Sequence, residues 1–118
     1  MKFMFMIYHD ERDLDALSKG EMQTLVDAAL DYTDEIDESG HRIVSNALQR
    51  ARTARTIRVR GGKVTTTDGP FAETKEQLGG FILIEARDLN EAIQLGSRIP
   101  LARLGCIEVR PIMELEPL

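Results

Sequence analysis

The chain predicts an α+β sandwich: one antiparallel sheet with two helices on one face. Three observations lead there. Lys2–Tyr8 and Phe81–Ala86 are apolar at nearly every position, as in central strands covered on both faces. Two other segments, from about Gly20 to Ser39 and from Leu89 toward Ile99, place apolar residues at helical spacing. With the remaining extended segments the order is β α β, hairpin, β α β, which suits two helices layered on a single sheet.

Lys2–Tyr8 opens the chain and ends in the polar run His9-Asp10-Glu11-Arg12-Asp13. Ser18 and Glu21 have capping-box spacing, in which Ser accepts the N3 amide and Glu reaches back. Behind them Met22, Leu25, Val26, Ala29, Tyr32 or Thr33, and Ile36 form an apolar side. Asp27, Asp31, Asp34, Glu35, Asp37 and Glu38 form an acidic one, and Gly40 is a natural residue just past the helix end. The acids of the last turn oppose the helix dipole, a conflict without local explanation.

Arg42–Gln49 and Thr53–Arg60 read as strands. Gly61-Gly62 supplies the positive φ angles of a tight hairpin turn, and the β-branched run from Val64 to Thr67 returns. Asp68-Gly69-Pro70 is turn chemistry, Thr74–Gln77 suits one helical turn, and Gly79-Gly80 suits a break. Asp88 caps the second helix, and Pro100 ends or kinks it. Cys106–Ile112 is the last strand, with Pro111 marking an edge or bulge. Met113–Leu118 reads as a loose extension. Apolar residues on both faces of the two central strands call for a second layer, most simply a second copy related by a two-fold axis.

At 118 residues the chain is expected to form one domain, 1–118. A net charge of −5 argues against a nucleic-acid phosphate binder, and the absence of Trp argues against base-stacking platforms. A local basic run (Arg50, Arg52, Arg55, Arg58, Arg60, Lys63) is either the solvated face of a hairpin or a dock for an anionic ligand or acidic partner. The opening apolar run is too short for a signal peptide or membrane span, so no membrane association is expected. One cysteine, Cys106, allows no intrachain disulfide and suits a reducing cytoplasm.

Function is sought first in the constrained, charged loop Thr67–Glu76. Asp68 is either a turn residue bonding nearby amides or a pocket acid or base. His9, at the tip of the first strand, is either a loop residue or a general base oriented by Asp10 or Asp68. These two are the candidate catalytic pair. Lys75 or Arg110 would hold an anionic substrate, against the plainer reading of surface or structural cations. Tyr8, Phe71 and Phe81 would line the cavity rather than simply pack. Glu73 and Glu76 read mainly as surface ion-pair partners, His41 as a solvated helix-end residue, and Cys106 as a small buried hydrophobe. No residue set has metal-ligand spacing and no Gly-rich phosphate loop is present, so neither metal nor cofactor is expected.

The string Thr67-Asp-Gly-Pro-Phe-Ala-Glu-Thr-Lys-Glu-Gln-Leu-Gly-Gly-Phe81 closely resembles the signature of DGPF-domain proteins, a branch of the YCII-related family. The Met1–Asp10 run, the Arg58–Val64 hairpin and the Asp88–Ala92 and Glu108–Ile112 segments resemble the same family. The resemblance implies a ferredoxin-like sheet and a dimeric α+β barrel. It implies little chemistry: most such proteins are of unknown function, some carry a His–Asp pair thought catalytic, and at least one lyase acts on a chlorinated aromatic. This chain departs from that His–Asp pattern, its two histidines being His9 and His41. The resulting expectation is a small cytoplasmic homodimer that binds a small organic molecule, with cofactor-free acid–base chemistry on it. The alternative is a non-catalytic regulatory protein, partnered with an extracytoplasmic-function sigma factor.

Overall fold

A computed structural model describes residues 1–116. Strand β1 (Lys2–His9) leads into a short helix α1 (Glu11–Asp15) and the long helix α2 (Lys19–Glu38). Strand β2 (Arg42–Ala47) follows, then a 3₁₀ turn (Ala51–Thr53), strands β3 (Arg55–Arg60) and β4 (Lys63–Asp68), and strand β5 (Gln77–Glu85). Helix α3 (Leu89–Gly96), a second 3₁₀ turn (Pro100–Arg103) and strand β6 (Gly105–Pro111) complete the fold. Four strands form an antiparallel sheet in the order β2-β5-β1-β6. Each long crossover therefore skips one strand: β5 lies between β1 and β2, and β1 lies between β5 and β6.

Local chemistry sets the ends of these elements. Ser18 accepts from the Glu21 amide at 3.1 Å while the Glu21 carboxylate accepts from the Ser18 amide at 2.9 Å. Gly40 follows α2 at φ 80°, and Gly61-Gly62 turn the hairpin at φ 56° and 75°. Asp88 caps α3 through the Glu91 amide. Pro111 sits at the end of edge strand β6, where a missing N–H costs no inner ladder bond.

The core lies between the sheet and α2/α3. Phe3 and Phe5 of β1 and Ile82 and Ile84 of β5 meet Tyr32 and Ile36 of α2 and Ala92 and Leu95 of α3. Gly96 lets α3 approach closely, since a Cβ there would stand 3.0 Å from the Phe5 ring. The alternate side chains Met4, Met6, Phe81 and Leu83 are half-buried on the opposite, helix-free face.

The structure corrects several expectations. His9-Asp10-Glu11 does not simply run out as a loop, because the Asp10 carboxylate accepts from the Arg12 amide and starts α1. The described residues thus form three α-helices. Thr74–Gln77 forms no helical turn; Gln77 begins β5, and Gly79-Gly80 lie inside that strand at a register shift against Ile7/Tyr8. Helix α3 stops at Gly96, and Pro100 opens the following 3₁₀ turn instead of ending the helix. The β3–β4 hairpin is not part of the main sheet but a separate two-stranded ribbon. Cys106 is exposed rather than buried. Of the tail, residues 113–116 form no helix or strand; 117–118 lie outside the described residues.

One stability prediction arises here. The Tyr32 hydroxyl donates to the Leu95 carbonyl at 2.6 Å, and burial pushes its pKa up from 10.0 to about 12. The folded state therefore favours the neutral phenol. That contribution is intact below about pH 10 and is lost as pH rises toward 12. Denaturant melts of Tyr32→Phe should show a loss of about 1 kcal/mol at neutral pH. Their alkaline decline should also be shallower than that of the wild-type protein.

Candidate functional site

Helix α2 is pinned to the sheet by its C-terminal half, where Tyr32 and Ile36 are buried. Its N-terminal half stands off. The gap is a largely apolar cavity of about 580 Å³, walled by Met22, Leu25, Val26 and Ala29 and floored by Ile7, Gly79 and Gly80. The paired glycines put no side chains into that floor.

His9 closes one end. Its ring is 6% exposed and packs on Gly79, where any Cβ would collide with Nε2. Nδ1 is buried and has no hydrogen-bond partner among the described residues. Such an atom is uncommon in a folded protein. Beyond His9, and sharing His9, Leu14, Leu48 and Gly79 with the first cavity, lies a second hollow of about 270 Å³. It is lined by Gln49, Arg50, Arg52 and Thr53. Helix α1 holds that rim in place. Glu11 Oε2 accepts from the Ala51 amide at 2.9 Å, and Arg50 pairs with Asp15 at 2.7 Å.

Neither proposed orienting carboxylate reaches the imidazole. Asp10 is 7% exposed but is committed to Arg12, with side-chain bonds of 3.1 and 2.7 Å. Hydrogen bonds from the Arg12 side chain and then its backbone N–H hold the Asp10 carboxyl down, from 3.8 to about 2, with Lys75 adding a weaker attraction. Stability from this lowered pKa is present above about pH 4 and is lost as pH falls toward 2. Acid titration of Arg12→Ala should show a shallower loss over that interval than the wild-type chain.

Asp68 ends β4 on the outlying ribbon, with its side chain 91% exposed and ion-paired to Arg55 at 3.2 Å. The Gly69 amide donates to the Ala54 carbonyl and Thr56 Oγ1 donates to the Gly69 carbonyl, so this bend closes the base of the ribbon. Asp68 lines neither hollow beside His9. Tyr8 and Phe71 border a different groove of about 700 Å³ between the ribbon base and the 70–78 segment. Phe71 is 82% exposed. Arg110 pairs with Glu108 on β6. Lys75 lines none of these hollows, and Phe81 contributes to the lining of the His9 cavity although its place in β5 is on the helix-free side. Gly79 and Arg52 also line these hollows; Arg52 belongs to the basic run read as a possible anion dock, while only its place in a glycine pair marks Gly79 in the sequence.

Residues 1–116 match the YCII-related domain. The chain is also similar to an uncharacterized protein of Rhizobium meliloti (strain 1021), with 34% identity over 99% of this chain and 96% of that one.

Proposed function

The chain belongs to the YCII-related family, and on that footing we propose that it binds a small organic molecule in the cavity beside His9. In this reading the imidazole exchanges a proton with the bound molecule and no cofactor takes part. The observation that carries it is the buried, unpartnered Nδ1 at the junction of two hollows. A neutral imidazole can take a proton at its unprotonated nitrogen, and the imidazolium so formed can return it. A ligand then supplies the partner that the protein withholds. The cavity volume lies within the range of small-molecule sites, roughly 300–1,000 Å³. Asp68 serves the ribbon base, and we place the chain in the DGPF branch on the Asp68–Phe71 string.

A fragment screen by ligand-observed NMR tests this, with Ala29→Trp as the cavity-filling control. Hits that the substitution abolishes support the reading; hits that survive it overturn the proposed site. With no hits at all, an interaction protein becomes the better account. The acidic outer face of α2 would then meet a basic surface, such as that of a sigma factor.

We further propose a homodimer, with the ferredoxin-like sheets of two copies facing each other as an α+β barrel. Met4, Met6, Phe81 and Leu83 on the helix-free face support it. So does the ribbon, which presents Ile57, Val59 and Val64 on one side, each more than half exposed. An isolated two-stranded hairpin is marginal in water. The radius of gyration, 16.4 Å, exceeds the roughly 13–14 Å of a compact domain this long. Met6→Glu places a charge on the covered face and should sediment as a monomer where the wild-type protein sediments as a dimer. A wild-type monomer would refute this assembly.

A further inference from the structure

We infer that the ligand is an apolar organic acid, an aryl or alkyl chain ending in a carboxylate, whose head is held by Arg52. This rests on the His9 cavity being the binding site and adds the chemistry of its occupant.

The two hollows that meet at His9 differ in kind. The larger is walled by aliphatic side chains of α2, with Leu25 and Val26 among them, and offers its occupant few polar partners. The smaller carries Gln49, Arg50, Arg52 and Thr53. A molecule reaching through both must therefore be apolar along its body and polar at one end.

The charges decide the sign of that end. Glu11 is the carboxylate of the smaller hollow, and it is committed to the Ala51 amide. Arg50 is neutralised by Asp15 and also donates to the Glu11 carbonyl at 3.3 Å. Arg52 has neither an ion pair nor a side-chain hydrogen bond among the described residues, and it lines the hollow from the exposed side. An Arg fork matches a carboxylate with two parallel N–H···O bonds. His9 sits where the two hollows join, beside the atoms nearest the acid group. Proton exchange would fall there, close to the carboxyl carbon, and not at the far end of the chain.

Calorimetric titration with 4-phenylbutanoate and with 4-phenylbutan-1-ol tests the inference. The two probes share a body and differ in the head. On the wild-type protein the acid should bind about tenfold tighter or more than the alcohol, the usual scale for a charge-assisted pair. Arg52→Gln, an exposed position, should erase that advantage and leave alcohol binding unchanged. Ala29→Trp should abolish both. Equal affinities on the wild-type protein, or an acid preference that survives Arg52→Gln, would overturn the inference while leaving the cavity reading intact. Failure of both probes to bind, or binding that survives Ala29→Trp, would overturn the inference and the cavity reading together.

Discussion

Replacing His9 by leucine leaves the protein at least as stable as the wild-type chain and abolishes ligand capture. The two effects run in opposite directions, which makes the result diagnostic. A buried polar atom without a partner costs about 1–3 kcal/mol. Nδ1 of His9 is such an atom. Leucine removes it at comparable volume. The denaturation midpoint should therefore hold or rise, while binding of any cavity ligand falls below detection. If the reaction is proton transfer, turnover should fall by about 10²–10⁴-fold as well. A variant that unfolds would show that the imidazole serves packing, and the ligand reading would lose its main support. Gly79→Ala offers a companion route to the same site. Its methyl group must displace the ring, so binding should weaken although His9 is still present.

Phe5→Ala should be the most damaging single truncation for stability. Phe5 is fully buried at the centre of β1, against Gly96 of α3 and beside Ile82 across the ladder. Its ring is what α3 rests on. Emptying that volume costs about 3–5 kcal/mol, because the helix and sheet close only part of the gap. A domain of ordinary stability, about 5–15 kcal/mol, would lose a large fraction of it. Urea melts should show a lower midpoint with little change in slope. A loss under about 1 kcal/mol would mean that α3 packs less tightly on the sheet than described.

Features set by neighbours along the chain could be read without coordinates. The Ser18–Glu21 box starts α2, Asp88 starts α3, and the Gly61-Gly62 turn joins β3 to β4, all from chemistry within four residues. The two apolar runs are indeed the central strands β5 and β1. Features set by distant packing were hidden. Gly79-Gly80 resembles a strand break because its purpose, making room for the His9 ring and leaving the cavity floor bare, is visible only when β1 lies alongside β5. Asp68 and His9 seemed natural partners because both follow strands. Yet the ribbon leaves the main sheet, and Arg55 takes the carboxylate. Arg52 was one cation among six in a basic run, and only the fold separates it from those that face solvent along the ribbon.

Nitrogen-15 NMR of the two imidazoles during titration with 4-phenylbutanoate bears most directly on ligand binding at His9. His41 is the internal control, since its Nδ1 lies 2.7 Å from Ser39 Oγ and its Nε2 lies 3.3 Å from Glu91. The His9 nitrogen resonances should shift saturably while those of His41 stay fixed. Saturable binding that leaves the His9 nitrogens unmoved would contradict the site.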